Sequence, residues 1–290
     1  MDRVLWVVVT GGVGVICLTA ALLWRADRAG GDRMVAEWAR AHGVRLTEDN
    51  RPLVRYYLVL GRVLRTIGGV AGIVIGGLVD AATGVDVDHG YLWWVWIMGG
   101  YLAGAMWAEL FLTRPAPSRR AASLVPRRLP DYLPARLRWA LRLAGVVSLA
   151  VGVAGWAVDQ PAGDASRFTT VSADASIVLG VAGAVIAGLV ELLQITIVRR
   201  PQPVVTADLL EADDAIRASS VHSLAGAGLG MVVLIVATVM TRLINVNGRL
   251  PFGLGAAPFV LFVAGLLGWR YYSHRAWRVR RPDPMQPVAR

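Results

Sequence analysis

Four ionisable side chains stand inside or at the ends of long apolar stretches: Glu109, Arg142, Glu191 and His222. A charge inside a bilayer is costly, so each such group is a candidate for function. Glu191 is the deepest. It precedes Arg199 by eight residues, about 12 Å of helix. Glu109 precedes Arg114 by five residues and can snorkel toward a boundary. Arg142 and His222 open the stretches that follow. The spacing predicts two pairs, Glu109 with Arg142 and Glu191 with His222. A buried carboxylate beside a histidine can titrate near neutral pH, which suits proton coupling to a transported substrate. A polar clasp that merely fixes the packing of two helices explains the same residues and outranks it.

Other chemistry is thin. Asp80, Asp86, Asp88 and His89 cluster near the end of one apolar stretch and have the ligand types of a cation site. A solvated turn is the plainer reading, so no metal is expected. The sequence has no nucleophile elbow, HExxH set or phosphate-binding loop. Its four histidines, at 42, 89, 222 and 274, are scattered, and Cys17 stands alone. No enzymatic activity and no cofactor are therefore expected.

The elements that must carry these residues follow from composition. Hydrophobic residues make up 56% of the chain and charged residues 17%, with mean hydropathy +0.53. Soluble domains hold about a quarter charged residues. The apolar runs, about 4–24, 63–83, 91–112, 139–158, 175–198, 221–244 and 252–270, are each long enough to cross a hydrocarbon core of roughly 30 Å. Backbone in lipid must bond to itself, and these runs lack the alternation of barrel strands. The expected fold is an all-α polytopic transmembrane bundle with about seven spans in a single membrane domain, 1–290.

Arginine placement sets the orientation. All 30 basic residues are Arg; 26 lie in the segments 25–65, 114–142, 199–217 and 270–290, and four on the other side. The positive-inside rule places the first group in the cytoplasm, hence an external N-terminus and a cytoplasmic C-terminus in the plasma membrane. Trp93, Trp94, Trp96 and Trp156 fall at the expected outer boundary, and Trp24, Trp139, Trp269, Tyr271 and Tyr272 at the inner one. The run 4–24 reads as an uncleaved anchor, because it is long and lacks a basic leader.

Between the first two spans, residues 31–50 have helical periodicity. Asp32 is placed to cap a helix that presents Met34, Val35, Trp38 and Ala41 to the membrane surface. Asn50 and Pro52 mark the start of the next helix. Small residues recur four apart at Gly68-Gly72-Gly76, Gly100-Gly104, Gly180-Ala184-Gly188 and Gly226-Gly230, which suits close helix packing. The loop Arg114–Arg138 carries five prolines and seven arginines. Its expected partners are anionic lipid headgroups and a cytoplasmic protein, not nucleic acid.

An internal repeat is visible. Glu109 and Glu191 lie 82 residues apart, Arg136 and Arg217 lie 81 apart, and each of those arginines precedes a glycine by nine residues. A parallel duplication of a two-helix hairpin, 91–158 and 175–244, accounts for this.

Arg-only basicity and the stretch Arg119-Arg120-Ala121-Ala122-Ser123-Leu124-Val125-Pro126-Arg127-Arg128-Leu129-Pro130-Asp131-Tyr132-Leu133-Pro134 resemble uncharacterised multi-pass membrane proteins of GC-rich, Gram-positive, actinobacterial-type bacteria. The resemblance implies a membrane location and no particular activity. The expected function is a transport-related permease or membrane subunit. The alternative is a non-transporting membrane scaffold or sensor.

Overall fold

Backbone polar groups in an apolar chain have to be satisfied locally, and here helices satisfy them. The computed structural model describes residues 2–83, 90–112, 127–158, 171–200, 207–247 and 256–274. The helices are α1 (Asp2–His42), α2 (Arg51–Thr83), α3 (Gly90–Leu112), the single turn α4 (Leu129–Tyr132), α5 (Ala135–Ala157), α6 (Ala173–Arg199), α7 (Ala207–Asn247) and α8 (Ala257–His274). No strand occurs among the described residues. Among the described residues, four helices, α2, α5, α6 and α7, are long and apolar enough to cross a membrane.

Glycine spacing decides which helices meet. A Cβ added at Gly68 or Gly72 of α2 would collide with the carbonyl oxygen of Gly100 or Trp96 of α3, and one at Gly104 with that of Leu64. Paired residue numbers rise on one helix as they fall on the other, so α2 and α3 run antiparallel. The α5–α6 seam is built the same way. A Cβ on Gly152 would lie 2.6 Å from the Gly180 Cα, and one on Gly145 would lie 2.9 Å from the Ala187 Cβ. Gly226 and Gly230 of α7 face Trp269, Ser273 and Gly265 of α8. Such seams substitute close van der Waals contact for the hydrophobic effect that lipid removes. The three tight hairpins therefore all turn at one end of the bundle. The repeat read from the sequence pairs helices at the other end. In the structure the helices of the second copy, α6 and α7, do pack together, whereas α3 packs on α2 and α7, and α5 packs on α6 and α7.

α7 is the central helix. Its Val221, Leu224, Ala225, Val232, Leu234 and Ile235 are buried among α3, α5 and α6. The outer helices expose apolar faces instead: Leu143, Val146 and Val153 on α5, and Val178, Val185 and Leu192 on α6. A soluble protein would hide such faces; a lipid-facing wall displays them.

At the end opposite the hairpin turns, a second apolar core forms a collar. Val35, Ala39 and Val44 pack against Val54 and Tyr57 of α2 and against Ala212, Ala215 and Ile216 of α7. This corrects the expected surface helix over 31–50. Asp32 caps nothing, because α1 runs unbroken from Asp2 to His42 and turns its Val35 face toward α2 and α7. α1 ends at Gly43, whose φ of 70° suits glycine. The Val44 N–H donates to the Ala39 carbonyl (2.9 Å), closing a Schellman-type cap. Asn50 does precede α2. Its side chain braces the loop, accepting from the Thr47 N–H (2.9 Å) and donating to the Arg45 carbonyl (2.8 Å).

Candidate functional site

Neither expected pairing forms. The glycine seam brings residue 142 level with residue 190, so Arg142 meets Glu191 and neither Glu109 nor His222 takes its expected partner. Arg142 Nε donates to Glu191 Oε2 at 3.0 Å and Oε1 at 3.2 Å, and Nη2 also donates to Oε1. The pair sits on the outside of the hairpin, with the Arg142 side chain 47% exposed and that of Glu191 23% exposed.

Glu109 goes inward. It is buried on α3 and accepts a hydrogen bond from the Ser220 hydroxyl of α7. Arg65 of α2 and Arg200, just past α6, are close enough to act on its charge. Ser220 Oγ lies 3.5 Å from the Tyr57 phenol, which donates to Ser219 Oγ at 3.1 Å. Arg65 in turn bonds Tyr101. Three helices thus converge on one polar interior beneath the collar. Glu109 Oε2 is buried and meets no hydrogen-bond donor among the described residues. Glu109 and Glu191, which the sequence reading aligns, therefore occupy unlike surroundings, one inside the bundle and one on its wall.

His222 is buried on α7. Its Nδ1 lies 2.8 Å from the Ala218 carbonyl of the same helix. A carbonyl can only accept, so the Nδ1 position carries a proton.

Two arginines that the sequence reads only as boundary charges are structural. Arg217 is fully buried. Its Nη1 donates to the carbonyls of Ile197 (3.0 Å), Val198 (3.2 Å) and Arg200 (2.7 Å), and its Nε donates to Asp213 (2.8 Å). The last carbonyls of a helix lack partners within it and carry the negative end of its dipole. A buried guanidinium meets both needs, and Asp213 balances its charge. Arg242, at the other end of α7, does the same for α5. It donates to Gly155 (2.7 Å), Val158 (3.0 Å) and Val171 (2.9 Å). Neither residue has a local sequence signal beyond being an arginine at the edge of an apolar run.

The collar has its own polar ties. Asp214 of α7 accepts from the Tyr132 phenol of α4 (3.1 Å) and pairs with Arg127 (3.2 Å). Burial and Asp214 push the Tyr132 phenol well above its ordinary range. His42 stacks on Trp38 with ring centroids 4.3 Å apart. Burial holds its imidazole below the usual histidine value.

Asp86, Asp88 and His89, and the side chain of Asp80, lie outside the described residues. Among the described residues, no group of three or more potential ligands is poised to hold a metal. No protein-family model, curated protein or solved structure matches the chain.

Proposed function

We propose that the protein is a plasma-membrane scaffold subunit with seven spans, an external N-terminus and a cytoplasmic C-terminus, whose working surface is the collar. One observation carries this reading: the central helix is tied at both ends. Arg217 holds α7 to the end of α6, and Arg242 holds it to the end of α5. A carrier has to rock one helical unit against another around a central site. Here such rocking has to break buried, charge-assisted bonds and part helices that touch through glycine. Glu191, the deepest candidate for proton coupling, is engaged by Arg142 on the bundle's outside. The collar offers a folded platform to a cytoplasmic partner protein.

The test is proton flux. The purified chain is reconstituted in vesicles holding a pH-sensitive dye, and a potential is imposed. The scaffold reading expects the flux of empty vesicles. The transport reading keeps one specific support, the buried Glu109 with its unsatisfied oxygen. A flux that Glu109→Gln abolishes would establish transport and remove the scaffold.

A further inference from the structure

Arg138, Trp139, Arg142 and Glu191 gather on the wall where α5 and α6 face lipid. Trp139 and Trp156 are both well exposed, at 58% and 55%, and lie seventeen residues apart on α5. That is about 25 Å of helix, close to the thickness of a hydrocarbon core. Exposed tryptophans at this separation mark the two headgroup boundaries. Arg142 stands about 4–5 Å deeper than Trp139 along the axis. Its guanidinium lies over the Trp139 ring, 5.4 Å from the centroid, and so folds back toward the boundary.

We propose that this cluster seats the phosphodiester of a membrane phospholipid in the leaflet at the collar end. Charge supports it. Two guanidinium groups and one carboxylate leave one positive charge, which a phosphodiester monoanion neutralises. Donors support it as well. Glu191 engages Nε and Nη2 of Arg142, leaving Nη1 without a partner among the described residues. Arg138 lies one turn before Arg142, on the same face of α5, and acts on Glu191 through its charge. Its Nε is buried, so the donors left for a lipid phosphate are the Nη groups of Arg138 and Nη1 of Arg142. Guanidinium forks bind phosphate oxygens in this arrangement. The depth supports it too: the molecules that reach this level of an exposed wall are lipids with their headgroups beside Trp139. Glu191 adds a preference, because it attracts the ammonium of an ethanolamine headgroup.

Native mass spectrometry of the full chain in detergent tests the site, with phosphatidylglycerol, phosphatidylethanolamine and diacylglycerol added in turn. Both phospholipids, or phosphatidylglycerol alone, should bind the native chain more tightly than diacylglycerol does. Arg138→Gln leaves the Arg142–Glu191 pair intact, so it should keep the native melting temperature while weakening phospholipid binding about tenfold. Glu191→Gln should favour phosphatidylglycerol over phosphatidylethanolamine, since it removes the carboxylate and adds to the net positive charge. Equal binding by the native chain and Arg138→Gln overturns the proposal, as does diacylglycerol binding as tight as that of the phospholipids. A species of twice the chain mass without lipid adducts also overturns it, because a second copy would then cover the wall.

Discussion

Arg217 and Arg242 stand twenty-five residues apart on α7, and each closes the C-terminus of a different neighbouring helix. Their separation, about 37 Å, spans a hydrocarbon core with part of each headgroup layer. Charges that would be ruinous in the middle of the bundle are placed at its ends, where they meet helix carbonyls that need donors. Truncating Arg217 takes a guanidinium donor from the carbonyls of Ile197, Val198 and Arg200, of which Ile197 keeps the Arg200 N–H at 3.3 Å, and takes one charge-assisted bond from Asp213. Arg217→Met should lower unfolding stability by about 3–5 kcal/mol, measured by denaturant titration in detergent. Arg217→Lys should recover only part of that loss, because an ammonium cannot reproduce the guanidinium fork. A loss below about 1 kcal/mol would mean that water already satisfies the end of α6.

Arg242 should behave alike and independently. Its three donors serve three carbonyls on both sides of the α5–α6 connection. Arg242→Gln should destabilise the chain, and the loss should add to that of Arg217→Met to within about 0.5 kcal/mol, since the sites are far apart and share no partner. Marked non-additivity would show that the two clamps act as one unit.

The glycine seam makes a sharper test of packing. Gly152 and Gly180 leave no room for a Cβ, whereas a Cβ on Gly188 of the same helix meets nothing within 4 Å. Gly180→Leu should cost about 1–3 kcal/mol or more, while Gly188→Leu should be near neutral. Thermal melting of the two variants side by side decides it. Equal effects would mean that α5 and α6 pack in another register.

Much of this arrangement is legible in the sequence, and the parts that are not share a cause. Each apolar run falls on a helix to within a few residues, although α1 and α7 continue well past theirs through arginines, and the glycine rows announce close contact except at Gly188. Which helix each row touches is not written locally. Glu109 and Arg142 flank one loop, so sequence pairs them. In the bundle, α5 is instead sealed to α6 by Gly145, Gly152 and Gly180, which sets Arg142 beside Glu191. Arg242 reads as a boundary charge because the carbonyls it serves lie more than seventy residues away in the chain. The unbroken α1 was hidden by Gly30-Gly31-Asp32, which looks like a stop and a cap. Each glycine costs a helix only about 1 kcal/mol, and packing of Val35 and Ala39 in the collar outweighs that.

The collar should soften in mild acid. Burial lowers the pKa of His42 from the ordinary 6.5, so the folded state favours the neutral imidazole. Below pH 6.5 the unfolded chain takes up a proton that the folded chain resists, and stability falls with pH. His42→Gln should flatten that slope between pH 6.5 and 5. Hydrogen exchange at residues 35–57 across this range reports it. An unchanged slope would place the acid sensitivity elsewhere.

The central claim is that the apolar helices cross a bilayer with the collar on its arginine-rich face. Single cysteines in a Cys17→Ser background test it most directly, with a membrane-impermeant maleimide applied to intact cells and to inverted vesicles. The account predicts that Glu37→Cys and Arg127→Cys label only in inverted vesicles, Ser172→Cys only in intact cells, and Val146→Cys and Val185→Cys in neither. Labelling of Ser172→Cys and Arg127→Cys from the same side, or free labelling of Val146→Cys, would contradict it.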